Sequence, residues 1–284
     1  MGPVGCCAHP LRDGQRVDST AGTVRRMSYV TSRDGTRIAY QRDGVGPPLI
    51  LIDAAGHYRA NSPLEELAEL LASDFTIYRY DRRGRGGSGD TPPYAPQREV
   101  EDLAALIAEA GSPTSLYGYS SGCLLALHAA DAGLDVRRLA LLEPPLSLDD
   151  DSAEQRAFTA KLRELTGEEA VTFFLTSIGV PDDLLAGMRG TPHWTAMVSV
   201  AHTLAYDSLL SEATDATLLR RVTTPTLVLH SAGSTADLSA MAATTAALLP
   251  AAEQRSLPGE WHGVPAATVA PVVADFLRRD PAQH

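Results

Sequence analysis

The chain has 284 residues, 44% of them hydrophobic and 21% charged, with a formal net charge of −11 at neutral pH. That length and apolar content exclude a wholly disordered chain and allow one large α/β domain, alone or with an insertion. The acidic balance argues against a nucleic-acid or anionic-membrane partner, either of which needs a basic face, and points to a small neutral or apolar substrate.

Residues 1–25 are expected to form a flexible tail. They carry Gly, Pro, Arg and His without an apolar run, so they read as neither a signal peptide nor a membrane anchor. Gly2 and Cys6 do not make a lipidation signal, because Pro3 intervenes and position 6 lacks Ser or Thr. The cysteines at 6, 7 and 123 fit no metal spacing, and the adjacent pair cannot bridge without strain. A reduced, cytoplasmic protein follows as the expectation.

Two alternating runs, 27–32 and 37–42, flank Arg33-Asp34-Gly35-Thr36, an Asp-Gly turn that closes a β-hairpin. Leu49-Ile50-Leu51-Ile52 is an unbroken apolar strand of the kind buried on both faces of a parallel sheet, and it ends in Asp53-Ala54-Ala55-Gly56-His57. A helix over 63–72 follows, with Ser62 as N-cap and Pro63 at its first position. The strand 75–80 then runs into Asp81-Arg82-Arg83-Gly84-Arg85-Gly86-Gly87-Ser88-Gly89-Asp90. This loop lacks the Lys-Ser/Thr of a phosphate-binding loop and reads as an unusual backbone path with solvated arginines.

A helix is expected over 99–110 from apolar residues at 100, 103, 106 and 107, ended by Gly111. The strand 114–119 feeds Gly118-Tyr119-Ser120-Ser121-Gly122, a sharp turn into the helix 121–130. Small residues two before and two after the centre let the turn hold Ser120 in a strained conformation above the sheet, with a helix N-terminus facing any negative charge that forms beside it. The strand 138–142 ends at Glu143-Pro144-Pro145. From 146 to about 221 the period is helical, opening with Asp149-Asp150-Asp151, and strand character returns at 226–230 and 253–257. Helices over 238–249 and 265–278 complete the chain. The alternation implies a mostly parallel sheet with helices on both faces and a helical cap insertion over the carboxyl ends of the strands.

Ser120 needs a base. Of eight histidines, His262 sits in a Pro/Gly-rich loop after the last strand, at the same sheet edge. His57 competes for the role from the loop after Leu49–Ile52. His9 and His284 lie in the tails, His193 and His202 in the insertion, and His128 and His230 read as structural.

Taken in order, Gly118-Tyr119-Ser120-Ser121-Gly122, Asp81-Arg82-Arg83-Gly84-Arg85-Gly86-Gly87-Ser88, Trp261-His262-Gly263 and a helical cap after the sixth strand resemble an α/β-hydrolase over residues 27–279. The resemblance implies Ser120 as nucleophile and His262 as base. Two departures stand out. Asp53-Ala54 replaces the usual His-Gly after the third strand, although backbone N–H groups of Ala55 and Ser121 can still form an oxyanion hole. Ser234 stands where the usual acid would follow the seventh strand. Glu143, at a position where some relatives carry the acid, is preferred over Asp237 at a helix start, and an acid-free site is the third case.

The expected division is a tail (1–25), a core (26–145 and 222–284) and a cap (146–221). Phe158, Phe173, Phe174, Leu175, Met188, Trp194 and Met197 of the cap either line a pocket or form the cap's own core. The expected activity is hydrolysis of a carboxylic ester or thioester through an acyl-enzyme. A cyclase, lyase or isomerase using Asp53, His57 or His262, and a receptor-like binding protein, are the alternatives. No cofactor or metal motif is present; a small-molecule substrate, no nucleic-acid or membrane partner, and a monomer or homodimer are expected.

Overall fold

The computed structural model describes residues 27–111, 113–146 and 152–279. The expected tail, Cys6, Cys7, His9, Asp149-Asp150-Asp151 and His284 lie outside the described residues.

The chain opens with β1 (Ser28–Thr31), β2 (Arg37–Gly44), β3 (Pro48–Ile52), α1 (Glu65–Leu71), β4 (Thr76–Tyr80) and α2 (Pro96–Ala110). It continues through β5 (Thr114–Tyr119), α3 (Ser121–Asp131) and β6 (Val136–Leu142). The helices α4 (Ser152–Glu164), α5 (Gly167–Ser177), α6 (Asp182–Met188), α7 (Pro192–Ser199), α8 (Leu204–Glu212) and α9 (Ala216–Arg221) follow before the sheet resumes. The last elements are β7 (Thr226–Ser231), α10 (Ala236–Leu248), β8 (Ala252–Leu257) and α11 (Ala266–Arg278).

The strands form one sheet in the order β1-β2-β4-β3-β5-β6-β7-β8, antiparallel at β1/β2 and β2/β4 and parallel elsewhere. The initial hairpin turns where Asp34 Oδ1 accepts from Thr36 N at 3.0 Å and Gly35 adopts φ +87°, the side-chain mimicry and positive φ that favour these two residue types in turns. In β3 the side chains alternate between two cores. Leu49 and Leu51 join the apolar layer under α1 and α11, whereas Ile50 and Ile52 join the layer against α2 and α3. Burial on both faces explains why the run is continuously apolar.

The strand order reverses between β3 and β5, because β4 lies on one side of β3 and β5 to β8 on the other. Helices cannot close over a sheet at such a reversal, so a crevice opens beyond the carboxyl ends of the strands. A third apolar cluster covers this edge. It joins Ala55 after β3 to Leu175, Trp194, Met197 and Leu204 from the helices between β6 and β7, with Phe158, Phe173, Phe174, Met188 and Trp261 packed against it.

One helix start differs from the sequence reading. The helix expected over 63–72 begins at Glu65, and Ser62 does not cap it. Ser62 Oγ accepts from Leu64 N at 3.0 Å and donates to Asp53 Oδ1 at 2.7 Å. A buried carboxylate has few other donors, whereas an exposed helix start can be satisfied by water. Among the described residues no helix is long and apolar enough to cross a membrane.

Candidate active site

The sheet order sets the carboxyl ends of β3, β5, β6 and β7 side by side, so Ala55, Ser120, Glu143 and Ser234 arrive at one edge from distant parts of the chain. The ladder carries on past the strand ends. Ser120 N donates to Leu142 O at 2.9 Å and Glu143 N to Leu229 O at 2.8 Å.

Ser120 lies between β5 and α3 with φ 52° and ψ −122°, a conformation that costs an L-residue of order 1–3 kcal/mol and persists only where its surroundings enforce it. The two glycines of the turn have distinct reasons. A Cβ on Gly118 would stand 2.6 Å from Gly122 O and 2.7 Å from Cys123 Cα, and one on Gly122 would collide with Ile52 O of the neighbouring strand. Among the described residues, the non-glycine residues with positive φ are Ser120, Glu143 (53°) and His262 (49°).

Glu143 is fully buried, and its Oε2 lies 2.6 Å from His262 Nδ1. Its Oε1 accepts from Ser231 N at 2.8 Å and from Ser234 Oγ at 2.5 Å, and Ser234 Oγ in turn accepts from His262 N at 3.0 Å. Burial pushes the Glu143 carboxyl up, but the hydrogen bonds from His262, Ser234 and Ser231 outweigh it and hold the group below the usual glutamate range. Glu143 therefore carries a full charge at neutral pH. A carboxylate on Nδ1 requires the proton there and leaves Nε2 as the basic nitrogen. Tyr119, beside Ser120, holds the histidine loop by donating its hydroxyl to His262 O at 2.6 Å and packing its ring 5.3 Å from the imidazole.

The other candidate residues lie elsewhere or are engaged. Asp237 is exposed in the first turn of α10. His57 Nδ1 donates to Ala55 O at 2.8 Å, and burial together with nearby His193 lowers its pKa to about 4, so it is a neutral ring bound to its own loop. Burial raises Asp53 to about 6 against the opposing effects of Ser62, Arg79 and Arg85. His193 reaches Asn61 Oδ1 at 2.8 Å, His128 is buried against Thr214, and His230 approaches Gln254. His202 lies 3.8 Å from Asp90.

The loop 81–90 overturns the expectation of solvated arginines. Arg82, Arg83 and Arg85 are each 1% exposed. Arg82 grips both oxygens of Glu99 at 2.7 and 2.8 Å, and Arg83 grips both oxygens of Asp102 at 2.8 and 2.7 Å. Buried guanidinium groups need such bidentate partners to offset lost hydration. A signal existed: Glu99 and Asp102 fall on the buried face of α2 with Leu103 and Leu106, a phase where unpaired acids would not sit. Asp207 on α8, which also binds Arg82 and Arg85, had no local signal.

The arrangement offers a hydroxyl on a strained turn, a histidine polarised by a buried carboxylate, and main-chain N–H groups at the start of α3. Such a set can form and release a covalent bond to an electrophilic carbon. A family model described as the alpha/beta hydrolase family matches residues 39–276. Among solved structures, an alpha/beta hydrolase from Sphaerobacter thermophilus is 42% identical, with 88% of this chain and 99% of that one covered and a TM-score of 0.78. A hydrolase from Pseudomonas aeruginosa is 26% identical over 92% and 100% of the two chains, with a TM-score of 0.74. A thermophilic esterase from Thermogutta terrifontis, 20% identical over 89% and 97% with a TM-score of 0.69, shares the fold.

Proposed function

Since this chain belongs to the alpha/beta hydrolase family, we propose that it is a serine hydrolase that cleaves a carboxylic ester or thioester of a small to medium apolar substrate. Ser120 is the nucleophile, His262 the general base, Glu143 the acid that orients and charges the imidazole, and the Ala55 and Ser121 N–H groups the oxyanion hole. The helices between β6 and β7 act as the cap.

The observation that carries this reading is the coincidence of backbone strain with chemistry. The three non-glycine residues of positive φ among those described are Ser120, Glu143 and His262, and the last two are joined at 2.6 Å. Strain of this kind gathers where geometry serves a reaction. In the reaction, Ser120 Oγ attacks the acyl carbon while its proton passes to His262 Nε2. The tetrahedral oxyanion accepts hydrogen bonds from Ala55 and Ser121. Collapse breaks the acyl–oxygen or acyl–sulfur bond, and the leaving group takes the proton from His262. Water, deprotonated by His262, then attacks the acyl-enzyme and releases the acid and free Ser120. Trp261, partly buried with its ring 5.4 Å from that of His262, supports an apolar acyl group.

Incubation with a fluorophosphonate followed by intact-mass analysis is expected to add one label to the wild type and none to Ser120→Ala. A wild type left unlabelled under mild conditions rules out the serine-hydrolase reading.

A further inference from the structure

Two buried ion pairs lie directly behind the proposed oxyanion hole, and one carboxylate is common to both. Asp207, carried by α8 and 4% exposed, accepts at Oδ1 from Ser121 Oγ at 2.7 Å and from Arg82 Nη1 at 2.6 Å. Its Oδ2 accepts from Arg85 Nη2 at 2.6 Å. The other amino group of Arg85, Nη1, donates to Ala54 O at 2.8 Å and to His57 O at 3.2 Å.

These bonds fall on particular peptide units. Ala54 C=O and Ala55 N–H belong to the same planar trans peptide, so pinning the carbonyl oxygen fixes the direction of the N–H on its far side. Donation to that oxygen also polarises the amide and strengthens its N–H as a donor. Ser121, whose hydroxyl Asp207 holds, supplies the other N–H. Arg82 Nη1 ties the set further, at 3.2 Å to Ser121 Oγ and 3.4 Å to Asp53 O. One bridge, Ala54 O–Arg85–Asp207–Ser121 Oγ, thus spans both donors.

We propose that Asp207 is a positioning residue for the oxyanion hole. Its carboxylate, supplied by a helix that the chain reaches only after leaving the sheet at β6, locks the Ala55 and Ser121 N–H groups at the spacing a tetrahedral oxyanion requires, acting on the first through Arg85 and on the second directly. The inference rests on the acyl-transfer reading. It makes α8 part of the machinery that stabilises the transition state, and it gives the buried Arg82 and Arg85 of the 81–90 loop a role in the reaction.

The test compares wild type, Asp207→Asn and Ser121→Ala in ester turnover and in affinity for an aryl trifluoromethyl ketone. Ser120 Oγ adds to the ketone carbon and its proton passes to His262, so the resulting hemiketal oxyanion occupies the hole. Folding is checked by near-UV circular dichroism and the urea midpoint. Asp207→Asn is expected to lower kcat about 10- to 100-fold with KM within about twofold, and to weaken the ketone by the same factor. The corresponding secondary alcohol, which forms no oxyanion, is expected to bind both proteins alike. Ser121→Ala, which keeps its N–H and every buried charge, is expected to show the same pattern at about 3- to 10-fold.

A folded Asp207→Asn with wild-type kcat, or with a loss in kcat that the ketone affinity does not share, overturns the proposal. If Asp207→Asn does not fold, Ser121→Ala decides: unchanged kcat and ketone affinity overturn it. A wild type that turns over no ester and binds no ketone overturns the acyl-transfer reading itself, and this proposal with it, whereas an active wild type with indifferent variants overturns this proposal alone.

Discussion

Replacing Glu143 by glutamine changes one atom, and the surrounding donors decide how the amide must point. Ser231 N, 2.8 Å from Oε1, is a backbone N–H and can only donate. The glutamine oxygen therefore stays on that side, accepting from Ser231 and Ser234, and its NH2 is turned toward His262 Nδ1, where the carboxylate oxygen had stood at 2.6 Å. An NH2 facing Nδ1 requires that nitrogen to be the acceptor, so the ring proton moves to Nε2 and, in the proposed reaction, the imidazole can no longer take the proton of Ser120. The loss of charge adds to the tautomer reversal. A change of this type in a serine triad lowers kcat by roughly 10⁴, equivalent to about 5 kcal/mol of transition-state stabilisation. The measurement is kcat on a p-nitrophenyl ester, with circular dichroism to verify folding. Asp237→Asn is the control, expected to stay within about twofold of wild type because Asp237 is an exposed first-turn residue of α10. A folded Glu143→Gln within tenfold of wild type, or a larger loss in Asp237→Asn, refutes the reasoning.

Ser234→Ala removes one of the donors to Glu143 Oε1 and the acceptor for His262 N; with Ser231 N and the His262 bond retained, kcat is expected to fall only about 3- to 10-fold, and a loss as deep as that of Glu143→Gln would contradict the supporting role given to Ser234. Burial raises Asp53 from 3.8 to about 6, so the folded protein binds this proton more tightly than the unfolded chain; the associated stability is fully present below about pH 4 and is lost as pH rises through about 6. Asp53→Asn is neutral throughout, and urea unfolding is expected to show its stability relative to wild type growing by about 2 kcal/mol between about pH 4 and about pH 8; a difference independent of pH argues against a buried, proton-holding Asp53. Gly122→Ala drives a Cβ against Ile52 O, with Ile52 C at 2.9 Å, and is expected to cost about 1–3 kcal/mol in the urea midpoint together with a loss of kcat; wild-type values for both would show that the turn has more room than this geometry allows.

Much of the architecture was legible because it is written in short-range patterns. The apolar run Leu49–Ile52 and the alternation of strands with helices point to a parallel sheet, and the spacing of Gly118 and Gly122 around Ser120 marks a turn that only small residues permit. Each signal depends on neighbours within a few positions, and the two-core alternation along β3 obeys the same local rule. The error over the arginines has the opposite origin. A run of Arg and Gly looks solvated in sequence because charge is costly to bury, and the acids that offset that cost, Glu99, Asp102, Asp34 and Asp207, lie 17, 19, 49 and at least 122 residues away.

The sequence by itself determined the fold class, the Ser120 turn and a short set of candidate partners for it, including both Glu143 and Asp237. Only the tertiary structure decided which carboxylate meets His262, at a separation of 119 residues, and that Ser234 supports that carboxylate from 91 residues away. The same holds for Asp207, which reaches Ser121 across 86 residues. The physical reason is that periodicity reports which face of an element is buried, whereas the pairing of buried charges depends on strand order and register, and these arise from the packing of the whole sheet.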